Sequence, residues 1–457
     1  MSLQFIIGSS GSGKSCYAYQ NIIEQAGLHP EKLFFVIVPE QFTMQTQKTL
    51  VEMSPGKGIL NIDILSFERL AYRVLEEVGG DSRTLLEETG KSMVLQKMVQ
   101  QHGKELSYLG GQMRKAGYLD EVKSILSEFM QYDIRDSEIQ EMIEDSSDRA
   151  LLQMKLKDVS VLYQAFTGYL KDHYMTGEEV MDALEKALPF SRKMKNSVLL
   201  LDGYTGFTPI QMRVVGELLA VCEKVMVTVT MDAAENLSTR GKPYQLFYMS
   251  RQMIHRLSEL TREIEEPVLL KDVKKSRFSQ APALHFLEKN IFRYRKNVYK
   301  KKQDEICMFS ATSPLKEMEE TARRIARLIR EKDCRYGEIA VITGNLEEYG
   351  NLAKQVFAAA GIPYFIDEKH TVLMNPFVEY FRAALEMAVQ DFSYESVFRY
   401  LRCGMSCVTR EEADLLENYV LALGIRGFKK WDEVWVRIYR GMPPENIQRL
   451  NEIRERF

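Results

Sequence analysis

The sequence predicts an α/β protein built on a doubly wound sheet, and three observations predict it. Near the start, an apolar run leads into Gly8-Ser9-Ser10-Gly11-Ser12-Gly13-Lys14-Ser15, a match to the G-x-x-x-x-G-K-[ST] phosphate loop. Apolar β-rich runs and helical patterns then alternate up to about residue 84, the order expected of βαβ units. Further on, the apolar run 197–201 ends on an acid, Asp202.

The first element follows from Leu3, Phe5, Ile6 and Ile7, a short apolar run of the kind a buried strand uses. In the loop behind it, glycines let successive N–H groups turn inward into an anion nest. The helix expected over 17–25 adds its positive N-terminal end. Lys14 is placed to reach terminal phosphates, and the Ser15 hydroxyl to ligate Mg²⁺. The plainer reading is a Gly/Ser loop that only joins strand to helix; the strand before and helix after favour the phosphate loop. Residues 32–39 form an apolar run stopped by Pro39, a central parallel strand, and 40–45 open another helix. Residues 59–65 read as a third strand, with Ser66 as N-cap of the helix beginning at Phe67.

From 85 to 195 the texture becomes helical, rich in Glu, Lys, Gln, Met and Leu, which reads as an insertion between sheet strands. Gly90-Lys91-Ser92 inside it is a decoy, because position 85 is Leu85 and not the loop's first glycine. The sheet resumes at 197–202. An apolar strand ending in Asp202 has the form of a Walker B strand, whose aspartate helps hold Mg²⁺; the alternative is a buried strand whose Asp202 caps a turn. Gly203 stands where helicase-type hydrolases carry a water-activating glutamate, which weakens the case for fast ATP turnover. Residues 224–230 form a further strand. The segment 288–303 interleaves Phe292, Tyr294 and Tyr299 with Arg293, Arg295, Lys296 and Lys300–Lys302. Such a mixture suits base stacking and phosphate neutralisation, and equally a solvated connector.

A second α/β unit is expected from residue 307. It comprises a helix over 313–331, a buried strand over 338–343, a helix over 349–360 and a continuation at 361–366. From 375 the chain is helical again, and its charged helical end without a C-cap pattern suggests a truncated chain.

Composition sets the outer limits. A chain of 457 residues suggests about two to four domains. With 45% apolar and 27% charged residues it fits a globular protein with ample core. No stretch is long and apolar enough to span a bilayer, and the start lacks a leader pattern, so a cytoplasmic protein without a membrane partner is expected. Six scattered cysteines do not resemble a disulfide framework, and Cys403 and Cys407 lack neighbours that would complete a zinc site. A net charge of −3 leaves any nucleic-acid partner to local basic surfaces.

The order of these segments is itself informative: the N-terminal phosphate loop, Val38-Pro39-Glu40-Gln41-Phe42-Thr43, Ser66-Phe67-Glu68-Arg69-Leu70-Ala71, Asp202-Gly203-Tyr204-Thr205-Gly206-Phe207, and Ile339-Ala340-Val341-Ile342 with Gly361-Ile362-Pro363-Tyr364. Together they resemble, over essentially the whole chain, the N-terminal part of the AddB family, the B subunits of bacterial AddAB helicase–nucleases. The resemblance implies a P-loop NTPase of UvrD/Rep-like helicase architecture with two RecA-like domains carrying helical insertions. The expected division is 1–84 with 196–300 as the first RecA-like domain, 85–195 as its insertion, 301–380 as the start of the second, and 381–457 as a further insertion. It also implies an AddA-like motor partner, single- and double-stranded DNA as substrates, scanning for the Chi signal, and double-strand break processing for homologous recombination. The family's nuclease domain and iron–sulfur cluster are expected in a C-terminal part not contained in these residues.

Under that reading, ATP and Mg²⁺ are the ligands, held by Gly8 to Ser15 with Asp202. No catalytic residue is assigned. Loops at the carboxyl ends of the strands face DNA in helicases of this shape, which nominates Gln41, Thr43, Phe67, Arg69, Tyr72 and Phe207. An aromatic can stack on a base, and Arg69 can pair with phosphate or a guanine edge. Each has an ordinary alternative: Phe67 and Tyr72 as core, Arg69 as a helix-surface charge. Three rivals remain: a translocating helicase in its own right, a small-molecule P-loop kinase, and an interaction scaffold with a dead nucleotide site.

Overall fold

The structure, a computed structural model, describes residues 2–79, 83–113, 115–236, 239–271, 276–293, 296–368 and 372–457. They divide into two compact units, Met1–Met308 and Phe309–Phe457.

The first unit opens with β1 (Ser2–Gly8), α1 (Lys14–Leu28), β2 (Phe34–Ile37), α2 (Thr43–Met53), β3 (Ile62–Leu65) and α3 (Phe67–Val78). The helical pattern then brings β4 (Thr84–Leu85), α4 (Glu88–His102), α5 (Ala116–Gln131), α6 (Asp136–Asp145), α7 (Ala150–His173), β5 (Tyr174–Met175) and α8 (Gly177–Ala187). The sheet resumes with β6 (Val198–Leu201), α9 (Pro209–Val221), β7 (Lys224–Thr230), α10 (Tyr248–Leu260), β8 (Val268–Leu269) and α11 (Pro282–Asn290). The main sheet has the order β3-β2-β6-β7-β1-β8, and its pairings are parallel.

Every residue of β2 and β6 is buried, because helices cover both faces and a parallel strand there must be apolar throughout. Period-two geometry sorts these side chains into two cores. Leu3, Phe5, Ile7, Phe35, Ile37, Leu199 and Leu201 pack with α3, α8, α9 and α10. Ile6, Phe34, Val36, Val198, Leu200 and Met226 pack on the other face with Ala18, Ile22 and Leu50 of α1 and α2. The parallel register puts the ends of β1, β2, β3 and β6 on one edge of the sheet, where ligands gather in open α/β sheets.

The helical segment has its own core, including Leu95, Leu126, Ile139, Leu162 and Phe166. Its chain is tied by Asp158, whose buried carboxylate accepts from the backbone N–H of Ser107, Tyr108 and Leu109 at 2.7–2.9 Å and from the Ser107 hydroxyl. Met175, Val180, Leu184 and Leu188 already belong to the sheet's core. Strand β8 was not foreseen: a two-residue edge strand on β1 is too short to show a pattern.

Beyond α11, Arg293 is folded inward onto Asp232 at 2.6 Å and Glu288 at 3.1 Å, and Tyr299 packs on Phe286. Phe292, Lys296 and Lys300–Lys302 are exposed. Tyr294 and Arg295 lie outside the described residues.

The second unit comprises α12 (Pro314–Lys332), α13 (Leu346–Ala359), α14 (Pro376–Val389), α15 (Tyr394–Arg402), α16 (Arg410–Leu423), α17 (Phe428–Asp432) and α18 (Asn446–Arg456). Phe398, Leu416, Tyr419, Trp431 and Trp435 centre one core, and Met318, Ile325 and Phe357 a smaller one. Here the sequence expectation is corrected. No strand is present among the described residues of this unit, and Val341 and Ile342 of the expected buried strand are 48% and 93% exposed. A β-rich run becomes a strand only where a neighbour takes its N–H and C=O groups. Residues 339–343 and 363–366 carry no strand pairing. The helices expected over 313–331 and 349–360 are present.

Candidate functional site

The loop between β1 and α1 is shaped by its glycines. Gly11 and Gly13 stand at φ +73° and +91°, the left-handed region that L side chains rarely adopt. A Cβ on Gly11 would come within 3.0 Å of the Phe278 ring, and one on Gly8 would run into the Ser12 hydroxyl. The neighbouring segment closes one side: the Arg277 N–H donates to the Gly11 carbonyl at 2.8 Å. Lys14 donates to the Ser9 carbonyl at 2.9 Å, so its ammonium is curled over the loop. Burial lowers its pKa, opposed by the negative charges of Asp202 and Glu288. The Ser12 hydroxyl is buried and makes no hydrogen bond.

Across the sheet, Asp202 at the end of β6 is 5% exposed. Its Oδ1 accepts from Ser15 Oγ at 3.1 Å and from Thr228 Oγ1 of β7 at 2.6 Å. Its Oδ2 accepts from the Tyr19 hydroxyl at 2.6 Å. Ser15 and Tyr19 are four residues apart on α1 and so share the face that meets Asp202. Burial, with the Asp202 charge second, pushes the Tyr19 hydroxyl pKa up and keeps it a donor. Gly203 follows at φ +82° and offers no side chain.

These atoms fit a nucleotide triphosphate and its cation. Gly8 and Gly11 leave no room for a Cβ, the Ser12 hydroxyl is buried without a partner, and Lys14 is held against the loop. Mg²⁺ characteristically takes one or two protein oxygens beside phosphates and waters, and Ser15 with Asp202 supplies that set. Among the described residues there is no group of three or more His, Cys, Asp or Glu side chains that could hold a metal by itself.

The second stretch of the same edge lies beyond β2 and β3. The nominated residues are not alike here. Gln41 is exposed, Tyr72 is 43% exposed, and Arg69 is exposed and ion-paired to Glu40 at 2.7 Å. Thr43 is buried, and its hydroxyl donates to the Glu40 carbonyl at 2.9 Å. Phe67 and Phe207 are also buried, at 5% and 9% exposure; Phe67 meets Phe207 and Tyr204 edge to face, and the Tyr204 and Phe207 rings pack at a tilt. Their faces are therefore spent on one another, while Phe42, 44% exposed beside Gln41, is the accessible aromatic that sequence reading passed over. The Phe67–Tyr204 cluster lines a cleft of about 400 Å³ that also touches Glu40, Glu68 and Gln211. Burial pushes the Tyr204 hydroxyl pKa up, with Glu40 adding to it.

Tyr19, Thr228, Glu40 and Glu288 were missed. Only Tyr19 left a trace in the sequence, its spacing of four from Ser15; the others reach the site through the fold.

No described helix is long and apolar enough to cross a membrane. A family profile described as "ADDB, N-terminal" matches residues 5–288. The chain is 42% identical over 462 residues to the B subunit of the ATP-dependent helicase/deoxyribonuclease of Lachnoclostridium phytofermentans, covering 100% of this chain and 40% of that protein. It is 35% identical over 472 residues to the protein of the same name from Caldanaerobacter subterraneus subsp. tengcongensis, again 100% and 40%. Against that of Clostridium novyi it is 33% identical over 459 residues, covering 99% and 40%. The chain thus spans about 40% of the length of these relatives.

Proposed function

The chain belongs to the AddB family, and from that membership we propose that it is the helicase-like portion of a subunit working in an AddAB-type helicase–nuclease, which processes DNA double-strand breaks for homologous recombination. Its first unit is a P-loop NTPase domain of UvrD/Rep-like type that binds Mg-ATP and holds single-stranded DNA along the carboxyl edge of the sheet, scanning for Chi. The second unit, whose described elements are all helical, occupies the place in the chain where the family carries a second RecA-like domain and its insertion. An AddA-like subunit is the partner and motor, the setting is cytoplasmic, and nuclease and iron–sulfur chemistry belong to parts outside these residues. The relatives are each one subunit of a larger enzyme, which supports a partner for this chain.

One observation carries the nucleotide part of this reading: Ser15 of the glycine-cradled loop and Asp202 of the neighbouring strand meet at 3.1 Å. Within that arrangement the loop N–H groups bind phosphate, Lys14 leaves the Ser9 carbonyl for phosphate oxygens, and Ser15 with Asp202 orients the cation. The cation, when bound, neutralises phosphate charge. No carboxylate follows Asp202 to orient an attacking water, since that position is Gly203, and both Asp202 oxygens accept hydroxyl donors. ATP therefore acts here as a bound effector with slow or absent turnover. On the DNA side, Arg69, Gln41 and the exposed rings of Tyr72 and Phe42 present the donor and stacking groups; Thr43, Phe67 and Phe207 shape the wall behind them.

The test is ATP binding and turnover, with and without single-stranded DNA, for wild type and Lys14→Ala. Wild-type binding reduced at least about tenfold in Lys14→Ala, with little DNA-stimulated turnover in either, supports the reading. Brisk DNA-stimulated hydrolysis makes the chain a motor and overturns the effector role. An absence of binding in the wild type leaves a scaffold.

A further inference from the structure

The bonds around Asp202 do not stop at the nucleotide site. Tyr19, which donates to Asp202 Oδ2 at 2.6 Å, stands 3.5 Å from the hydroxyl of Thr46, and both residues are buried. Tyr19 already uses its proton on Asp202, so Thr46 is the donor to the Tyr19 oxygen. Thr46 lies in the first turn of α2, the turn that Thr43 opens. The Thr43 hydroxyl is bonded to the Glu40 carbonyl at 2.9 Å, and the Glu40 carboxylate pairs with Arg69 at 2.7 Å. A continuous path thus runs from Ser15 to Arg69: by side chains through Asp202, Tyr19 and Thr46, by backbone through the first turn of α2 and Glu40, and by side chains again from the Glu40 carboxylate to Arg69. It links the loop that fits a phosphate to the exposed guanidinium nominated for DNA.

We infer that Tyr19 is a positioning residue that couples nucleotide binding to DNA binding, passing the state of Ser15 and Asp202 through Thr46 to α2 and its Glu40–Arg69 pair. The inference rests on the reading that this edge binds ATP and single-stranded DNA, and adds the route between them. A cation held by Ser15 would make its hydroxyl a stronger donor to Asp202 Oδ1, the contact already present at 3.1 Å. Asp202 is buried among three hydroxyl donors, so the carboxylate cannot turn without moving its other partners, Tyr19 and Thr228. Tyr19 shifts with Oδ2, and α2 is the element packed against it. Close packing converts such small displacements into a repositioning of the helix start that carries Glu40. The coupling is reciprocal: DNA on Arg69 changes nucleotide affinity by the same factor and in the same direction.

The experiment measures the affinity of a labelled single-stranded oligonucleotide with and without saturating Mg²⁺ and a non-hydrolysable ATP analogue, in wild type, Tyr19→Phe and Thr46→Val. Nucleotide affinity and thermal melting are recorded for each. In wild type the nucleotide is expected to change DNA affinity about fivefold or more. In both variants that ratio is expected to fall below about twofold, with Thr46→Val keeping nucleotide affinity because it lies one bond further from the loop. Should Tyr19→Phe fold poorly, Thr46→Val decides. A Thr46→Val protein that keeps the full ratio overturns the route. So does a wild type that binds both ligands without any coupling, which leaves the proposed function standing. A wild type that binds no nucleotide removes the proposed function and this inference together.

Discussion

The two halves of the sheet's carboxyl edge are built in opposite ways. At the β1–β6 half, the working atoms are backbone groups and side chains already committed to one another: Asp202 is 5% exposed and takes three hydroxyl donors. At the β2–β3 half, Arg69 and Glu40 meet with more than half of each side chain in solvent, and Tyr72 and Phe42 stand open. Pre-positioned, buried groups need only small rearrangements when a ligand of fixed shape arrives, which suits a triphosphate. Exposed, singly paired groups can re-pair with whichever base or phosphate passes, which suits a strand being scanned. The difference implies that substitutions in the first half cost stability and those in the second cost affinity.

Asp202→Ala should show this most strongly. It leaves the buried Tyr19 and Thr228 hydroxyls without their acceptor, and such orphaned groups cost about 3 kcal/mol together. Denaturant unfolding of the first unit reads this directly. A loss below about 1 kcal/mol would put the two halves on equal terms and erase the contrast.

Gly11→Ala comes next. Holding an L-residue at φ +73° costs about 1–2 kcal/mol, and the new Cβ lies 3.0 Å from the Phe278 ring. The loop should open rather than the fold collapse. We expect nucleotide affinity to fall by about tenfold or more, with melting lowered by only a few degrees. Unchanged affinity would show that the cradle does not depend on that backbone conformation.

How far the sequence could be read follows the same division. The shape of the β1–α1 loop was legible because glycine spacing dictates where the backbone can take the left-handed conformation seen at Gly11 and Gly13. Asp202 was legible because it ends an apolar run. At the other half, the nominated residues follow strand ends, but exposure divides them: Phe67 and Phe207 turn inward onto Tyr204, where a hydrophobic core lies within reach. Which of two nearby aromatics turns out, Phe42 or Phe67, depends on helix phase, and a single loop residue resets that phase. Thr228 and Thr46 could not be found, since neither their spacing nor their chemistry differs from any buried threonine. The starkest case is 34–37 against 339–342. Both are β-rich runs, FFVI and IAVI, yet the first is wholly buried between two strands and the second has Ile342 93% exposed. Strand identity resides in the neighbours, which sequence patterning does not contain.

The smallest expected change in stability is also the most discriminating for DNA. Arg69→Ala removes an exposed ion pair, and such pairs contribute about 0–1 kcal/mol, so unfolding should barely move. If Arg69 meets a phosphate, oligonucleotide affinity falls on every sequence and the slope of log K against log salt drops by about one contact's worth. If it meets a guanine edge, the loss falls on particular sequences, at about 1–3 kcal/mol for the right base. Glu40→Gln supplies the converse: with its carboxylate neutralised, Arg69 is released and DNA affinity should rise modestly, again with little change in unfolding. A pair of variants that alters stability and leaves DNA binding untouched would assign the Glu40–Arg69 bridge to holding α3 against the start of α2. Any DNA contact at this edge would then have to come from Gln41, Phe42 and Tyr72.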